Sequence, residues 1–488
     1  MPLASGFDKD GEFSWGYTIE ASSLDPHRGT SGFDQNWLFP VYDRLVYAAP
    51  DGILKPMLAT SWEAAEDGGS VTLKLREGVT FHDGTPMDAA AVKTSLDRAR
   101  DDESVVKSDL ATIQDVTVAD DHTVRLALSG GAGAILGALA DRAGMIISPA
   151  AIKKGGLDTH PVGAGPYTMV DHKQGDRVDY GRYGRYWDPS VQRVAKMTFR
   201  VMSDDQTRLN ALQAGELSMA LIRQNQVEPA QRMGLNVLAG ESPTFYAFTV
   251  NNARKPFGDR KVRLALNLAI DRKAIGEGLL DGFCTPQIQP WPSTSWAYDE
   301  KLGAGLDKWP HDPARAKKLL AEAGYPKGFT FTALTSQTTG IAAVAEAVQA
   351  QFAKVGVTMK IKLVDASQKT RMFDVEKSAD AALISYSPTP DPQGVLDRQL
   401  LPGAAGNPGR KASDEVVRLA GEAGDALDPD DRAPVFHKIM AELIDYVPHS
   451  VPICMQQRTE AFRDGVSGLA VNPAGSRDFR GVAVTKGG

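Results

Sequence analysis

A histidine–aspartate pair is the first feature of this sequence that could do chemistry. His82 and Asp83 place an imidazole beside a carboxylate, which could serve acid–base catalysis or bind a metal ion. Both roles need converging partners, and no second histidine or cysteine stands at ligand spacing. Asp83-Gly84 before Thr85-Pro86 is typical of a turn. We therefore interpret the pair as structural, and we predict no metal site.

Two glycine-rich stretches could in principle cradle a phosphate. From Gly131 the spacing is GxGxxxG, one residue longer than the dinucleotide pattern GxGxxG. Residues 163–167 lack the lysine followed by serine or threonine of a phosphate loop, and Pro166 removes a backbone donor. We interpret both stretches as loops, and we predict no cofactor.

The sequence carries none of three common catalytic patterns. It has no GxSxG elbow, no HExxH pair and no Cys–His arrangement. Adjacent carboxylates such as Asp204 and Asp205 are more simply explained by their place at a helix start, where the helix dipole favours negative charge. We therefore predict that the protein is not an enzyme.

Size and charge exclude several classes of protein. The chain has 488 residues and a net charge of −7, so it lacks the basic stripe of a nucleic-acid binder. No apolar run approaches the roughly 20 residues that a membrane-spanning helix needs. A length of about 150 residues per domain predicts roughly three structural units. The two cysteines, Cys284 and Cys454, exclude a CxxC motif, and whether they form a disulfide stays open.

Alternating strand and helix patterns place the chain in the α/β class. Residues 71–75 alternate apolar and polar side chains, which predicts a half-buried strand. Asp88 fits the N-cap of the helix that follows. Between residues 329 and 364, two alternating stretches flank a helical one, which predicts a strand–helix–strand unit with parallel strands. Ser203 and Gln206 predict a capping box at the start of another helix.

Five blocks of sequence, in order along the chain, resemble one known family. The most informative block covers residues 56–97 and includes the Phe-His-Asp-Gly-Thr-Pro stretch around His82. Together the blocks resemble the extracytoplasmic solute-binding proteins of peptide, opine and nickel-type ABC importers. The other four blocks are residues 24–46, 162–187 and 251–272 and the pair Asp391-Pro392.

The resemblance implies an α/β fold of two lobes, the Venus flytrap fold of periplasmic binding proteins, with an extra subdomain on the first lobe. It assigns residues 1–55, 185–284 and 458–488 to the first lobe, residues 56–184 to the subdomain, and residues 285–457 to the second lobe.

The same resemblance implies that the lobes close on a ligand in the cleft between them. Asp34 or Asp391 could pair with a cationic group of the ligand, and Arg142 with an anionic group. Aromatic side chains would cover its apolar surface. The candidate ligand-binding residues are Phe33, Asp34, Arg142 and Tyr246 on the first lobe, and Trp291, Tyr386 and Asp391 on the second.

Two departures from the family pattern concern the ligand. Dipeptide binders of this family carry an aspartate shortly before the aspartate–proline pair, and here that position is near Thr389. They also carry an arginine before the helix that corresponds to residues 341–355, whereas residues 336–340 contain none. An ordinary dipeptide ligand is therefore disfavoured.

These observations predict a substrate-binding protein that captures a small peptide-like or carboxylated organic solute and delivers it to a membrane permease. A receptor for a chelated metal and a hydrolase working in the same cleft are the alternatives. Residues 1–10 lack the pattern of a secretion signal. The resemblance implies a periplasmic or extracytoplasmic location and a signal that has been removed. The expected partners are the ligand and the permease subunits, and the expected state is a monomer.

Overall fold

A computed structural model of the chain describes residues 3, 6–31, 33–336, 340–386, 390–469 and 477–486, with the side chains of 366 and 367 left aside. The chain forms two compact units. The first contains residues 1–240 and 459–488, and the second contains residues 241–458. None of the helices in these described ranges is both long and apolar enough to cross a membrane.

The first unit is built on a mixed sheet. Five of its strands lie side by side in the order β8, β9, β10, β1, β11. Strand β1 runs parallel to β10 and to β11. A separate antiparallel sheet has the order β4, β5, β7, β6. The strands are β1 (Glu12–Tyr17), β2 (Val46–Ala48), β3 (Leu54–Pro56), β4 (Ala59–Ala64), β5 (Ser70–Leu75), β6 (Ile113–Asp120), β7 (Thr123–Leu128), β8 (Tyr167–Lys173), β9 (Arg177–Arg182), β10 (Lys196–Val201) and β11 (Met219–Leu221).

Short helices complete the first unit, and an aromatic core holds its larger sheet. Trp15 of β1 packs against Phe199 of β10 and Phe479 near the C-terminus, with ring centroids 5.3 and 4.9 Å apart. All three side chains are buried, so this cluster fixes the C-terminal segment to the sheet. The helices are α1 (Gln35–Leu38), α2 (Ala89–Ala99), α3 (Ala132–Leu139), α4 (Pro149–Lys154), α5 (Asp205–Gln213) and α6 (Val227–Arg232).

The second unit contains a sheet in which β14 (Thr330–Ser336) is parallel to β15 (Thr358–Val364) and to β16 (Ala381–Tyr386). The helix α9 (Ile341–Ala353) is the crossover from β14 to β15. This confirms the predicted strand–helix–strand unit. The chain enters within β12 (Asn236–Val250) and leaves within β17 (Ser450–Phe462). The remaining elements are the strand β13 (Cys284–Pro286) and the helices α7 (Arg260–Ala269), α8 (Pro313–Glu322), α10 (Ala366–Lys369), α11 (Gln393–Val395), α12 (Asp414–Asp425) and α13 (Pro429–Tyr446).

Local signals account for several element boundaries. The carboxylate of Asp88 accepts a hydrogen bond from the Ala91 N–H at 2.8 Å, so the predicted cap of α2 is confirmed. The predicted capping box of Ser203 and Gln206 is wrong. Asp204 caps α5 instead by accepting from the Thr207 N–H at 2.7 Å, because an aspartate one residue later offers a charged acceptor to the helix N-terminus.

Residues 241–284, which we assigned above to the first lobe, lie in the second unit. The reason is packing, since Phe248 of β12 lies against Phe352 of α9 with ring centroids 5.1 Å apart. The predicted lobe boundaries stay a prediction. Within the predicted subdomain 56–184, the strands β4, β5, β6 and β7 form the separate sheet, whereas β8 and β9 belong to the larger sheet. The subdomain as an independent unit stays a prediction.

The two cysteines, whose pairing the sequence left open, form a disulfide. Cys284 of β13 and Cys454 of β17 have Cα atoms 5.3 Å apart, and both side chains are buried. The strands pair antiparallel, with Pro286 opposite Cys454. The bond therefore fastens β13 to the strand by which the chain leaves the second unit.

Candidate functional site

Each unit presents one sheet edge at which the carboxyl ends of parallel strands meet. In the first unit this edge carries the residues after β1, β10 and β11. In the second unit it carries the residues after β14, β15 and β16. Ligands of open α/β sheets bind beyond the carboxyl ends of the strands. These two edges are therefore the candidate sites.

The loop after β1 is held in shape by Asp34. This side chain is fully buried, and its two oxygens accept hydrogen bonds from the Ser22 N–H and Ser22 Oγ, both at 2.7 Å. The Ser31 N–H donates a third bond at 3.2 Å. A carboxylate with these partners ties Ser22 and Ser31 to Asp34 and so holds the described part of the loop in a compact shape.

Arg142 lies inside the same loop. Its Nε donates to the Pro26 carbonyl at 2.8 Å, Nη1 donates to the Ser31 carbonyl at 3.1 Å, and Nη2 donates to the Gly29 carbonyl. Arg142 is only 7% exposed, and its Nη1 lies 3.7 Å from an oxygen of Asp34. The structure thus brings Asp34 and Arg142 together, with the arginine bonded to loop carbonyls.

Phe33 differs from these two neighbours. Its side chain is 49% exposed, and its ring lies 6.3 Å from the ring of Tyr17, the last residue of β1. An exposed aromatic ring on a rigid loop can stack on apolar or planar parts of a ligand at little entropic cost.

The ends of β10 and β11 are joined by one buried arginine. Arg208 of α5 donates from Nε to the Leu221 carbonyl at 2.5 Å and from Nη1 to the Met202 carbonyl at 2.6 Å. Its Nη2 donates to Asp205 at 2.5 Å, and the side chain is fully buried. Burial raises the pKa of the Asp205 carboxyl, but the hydrogen bonds from Arg208 and Arg223 outweigh burial and lower it. Asp205 is therefore a fixed anion at this edge.

In the second unit, three predicted residues converge on the short segment after β16. The Trp291 Nε1–H donates to the Pro392 carbonyl at 3.2 Å, and the Tyr386 hydroxyl donates to the Gly394 carbonyl at 3.0 Å. Both side chains are buried, at 2% and 4% exposure. They act on the main chain around Asp391, so they shape the segment.

Asp391 is paired with an arginine that the sequence analysis missed. Arg432 of α13 donates from Nη1 and Nη2 to the two carboxylate oxygens, at 2.6 and 2.8 Å, and Asp391 also accepts from the Gln393 N–H at 2.8 Å. Both charged side chains are buried. A sequence signal for this partner exists, because Arg432 shares the inward face of α13 with Phe436 and Ile439, where an arginine needs a buried acid.

Tyr246, the seventh candidate, which we assigned above to the first lobe, lies in the second unit. It lies on β12 opposite Ser385 of β16 and is partly buried. Its hydroxyl is close to Gly340, where an added Cβ would come within 2.8 Å of it. Tyr246 therefore stands next to the start of α9. Thr389 and residues 337–339, the positions of the two dipeptide anchors, lie outside the described residues.

The histidine–aspartate pair is part of a folded turn. His82 Nε2 donates to the Gly165 carbonyl at 2.9 Å, and burial lowers the pKa of the imidazole to about 4. Asp83 bonds to Thr85 and Ser148. Within the described part of the chain, no group of three or more histidine, cysteine or acidic residues could hold a metal ion.

Comparison with known proteins decides which family these units represent. Residues 54–407 match the family described as bacterial extracellular solute-binding proteins, family 5. The chain belongs to this family. The glutathione-binding protein GsiB of Pectobacterium atrosepticum is 36% identical over 74% of this chain and 70% of its own length. The glutathione-binding protein GsiB of Escherichia coli K12 is 30% identical over 93% of this chain and 90% of its own length.

Solved structures share the fold of this solute-binding protein. The periplasmic binding protein DppA of Helicobacter pylori, in complex with the peptide STSA, has a TM-score of 0.81 and 25% identity over 98% of each chain. NikZ of Campylobacter jejuni, in complex with Ni(L-His), has a TM-score of 0.79 and 22% identity over 95% of this chain and 97% of its own. The predicted two-lobed α/β fold is confirmed. The chain is the substrate-binding protein of an ABC importer, and its family consists of extracytoplasmic solute-binding proteins and not of enzymes.

Proposed function

We propose that this solute-binding protein carries a short acidic peptide, with glutathione as the leading ligand. The observation that carries the proposal is the match to glutathione-binding proteins at 30–36% identity, which for most of them spans 93% of this chain. The absence of an arginine from residues 336–340 agrees with a ligand other than an ordinary dipeptide.

The chemistry of glutathione suits groups present at the two strand edges. The tripeptide carries two carboxylates, one ammonium group, two amides and a thiol. Carboxylates are bound best by arginine, and amides by main-chain donors and acceptors. Phe33 supplies an exposed ring, Tyr246 supplies a partly buried phenol, and both lie beside a strand edge. The roles of all seven predicted residues stay proposals.

The charged candidates act, in our proposal, by fixing the shape of the segments that contact the ligand. Arg142 and Asp34 hold the loop of residues 22–34, and Asp391 with Arg432 holds the segment after β16. A rigid site loses less entropy when it binds, so these pairs would raise affinity without touching the ligand.

We also propose that this chain itself works outside the cytoplasm, as a monomer, and releases its ligand unchanged to permease subunits. The disulfide between Cys284 and Cys454 supports the location, because disulfides persist in oxidising compartments. It also leaves no free cysteine among the residues that the structure describes, so a thiol ligand meets no thiol partner there. Absence of turnover is part of the same proposal.

Isothermal titration calorimetry with three ligands tests the proposal. We expect saturable binding of reduced glutathione with one site per chain, weaker binding of a neutral dipeptide, and no binding of a nickel–histidine chelate. Ligand recovered from the cell and analysed by mass spectrometry should be unchanged. Tighter binding of the chelate, or conversion of the peptide to products, would contradict the proposal.

A further inference from the structure

Arg223 lies in the first unit and is not one of the candidate ligand-binding residues. It stands two residues after Leu221, the end of β11, and so lies at the edge where β1, β10 and β11 end. Its main-chain N–H donates to the Gln226 side chain at 3.0 Å, and Gln226 in turn donates to the Asp205 carbonyl at 2.9 Å. The backbone around Arg223 is therefore fixed.

The side chain of Arg223 is oriented by the anion at the same edge. Its Nε lies 2.7 Å from Oδ2 of Asp205, whose other oxygen is bonded to the buried Arg208. Because Asp205 is held from the inside, it cannot swing out to follow Arg223. A guanidinium held through Nε keeps Nη1 and Nη2 for another acceptor, and two parallel N–H groups match a carboxylate.

Exposure separates Arg223 from the other arginines of this edge. Its side chain is 52% exposed, whereas Arg208 is fully buried and Arg142 is 7% exposed. Those two donate to main-chain carbonyls through several nitrogens. Within the described ranges, Asp205 is the one acceptor bonded to the Arg223 guanidinium. A cation that is oriented and yet open to solvent is suited to meet a charged ligand.

We propose that Arg223 binds a carboxylate of the ligand through its two terminal nitrogens. Asp205 is a positioning residue that aims the guanidinium, and Arg208 fixes Asp205 to the ends of β10 and β11. This inference rests on the proposed function, because it assigns one contact of an acidic peptide. It predicts that the receptor discriminates between an acid and its ester at this position.

The test measures affinity by calorimetry for glutathione and for its dimethyl ester. The variants are Arg223→Gln and Arg223→Lys, and the matched control is Arg232→Gln. Arg232 is likewise exposed in the first unit, and it is paired with Glu228 on α6. We expect Arg223→Gln to lower affinity for glutathione by about 10- to 100-fold, the range of a charged hydrogen-bonded contact. Affinity for the ester should change less than 3-fold, the lysine variant should fall between, and the control should match the wild type.

The outcomes separate a failure of this inference from a failure of the proposed function. If Arg223→Gln keeps full affinity for glutathione, the contact does not exist and only this inference fails. If it weakens the acid and the ester equally, Arg223 acts on structure and the inference also fails. If the wild type binds neither compound while a different class of solute binds, the proposed function fails and the inference falls with it. Thermal unfolding of each variant checks that the exposed substitution leaves folding intact.

Discussion

At the scale of single residues, the charged side chains of this protein divide into two kinds. Asp34, Arg142, Asp391 and Arg432 are buried and bonded to the main chain or to each other. Arg223 is half exposed and oriented by a fixed carboxylate. Buried pairs of the first kind contribute to shape, because a charge that loses its partner inside a protein is strongly destabilising.

The pair of Asp391 and Arg432 gives a prediction about stability. Asp391→Asn leaves a buried guanidinium without its counter-charge, and we expect it to lower the free energy of unfolding by about 3 kcal/mol. Adding Arg432→Gln to that variant should recover part of the loss, because the unpaired charge is then removed. Urea denaturation measures both effects. Asp97→Asn, which breaks the exposed pair with Lys93, is the control and should cost less than about 1 kcal/mol.

Additive losses in the double variant would show that the two side chains do not act as a pair. A loss of unfolding free energy in Asp391→Asn that is no larger than the loss in Asp97→Asn would show the same.

Phe33 gives a prediction about binding. Phe33→Ala removes an exposed ring beside the end of β1. It should weaken glutathione binding by about 5- to 10-fold, which corresponds to the energy of one aromatic contact. It should leave the urea midpoint unchanged, because the ring is half in solvent. Calorimetry and denaturation on the same samples measure both quantities. Val170→Ala, at another exposed apolar position, is the control, and unaltered affinity in Phe33→Ala would refute the contact.

At the scale of elements, the sequence predicts much of the local structure and little of the site. The period of two at residues 71–75 and the cap at Asp88 are fixed by nearest neighbours, and the structure confirms both. The partner of Asp391 lies 41 residues away. The apolar face of α13 indicates that Arg432 is buried, but no local pattern says which acid it meets. Arg208 lies four residues after Asp204, the cap of α5, yet only the pairing of β10 and β11 with β1 shows what its donors reach.

The boundary of the second unit shows the same limit. Whether residues 241–284 pack with the first or the second unit depends on Phe248 meeting Phe352, a contact between distant segments. No pattern within β12 says in which core Phe248 is buried.

Buried histidines that join elements give a prediction about pH. His449, just before β17, donates from Nε2 to the Gln399 carbonyl at 2.9 Å. Burial lowers its pKa from 6.5 to about 4, although the carbonyls of Gly406 and Gln399 act in the opposite direction. The unfolded chain therefore binds more protons between these two values. Stability is fully present above pH 6.5 and is lost as the pH falls toward 4.

Between pH 7 and pH 5, we expect the free energy of unfolding to fall by about 2 kcal/mol because of the titration of His449 alone. His449→Gln keeps a donor for the Gln399 carbonyl but does not titrate, so its stability should fall less over the same interval. Urea denaturation at pH 5, 6 and 7 measures the difference. His160→Gln, at an exposed position, is the control. Equal pH dependence in the wild type and His449→Gln would contradict the expectation.

At the scale of the whole molecule, the chain forms two units, and each carries a strand edge with segments held by buried charges. The chain passes between the units twice, within β12 and within β17. A solute-binding protein transports nothing by itself, so its ligand must favour one state of the molecule over another to be recognised by the permease. The family resemblance predicts that this state is the closed one.

Small-angle X-ray scattering tests the closure prediction. Saturating glutathione should reduce the radius of gyration of the wild type, because closure makes the molecule more compact. Arg223→Gln should show the same reduction only at ligand concentrations raised in proportion to its lower affinity. A scattering curve that is identical with and without bound glutathione would contradict closure while leaving binding itself intact.

The most direct measurement of the central claim is a calorimetric titration of the wild type with reduced glutathione, followed by mass analysis of the recovered peptide. We expect a saturable isotherm with one site per chain and a peptide of unchanged mass. No binding at any concentration up to the millimolar range, or a peptide cleaved or otherwise altered after incubation, would contradict it.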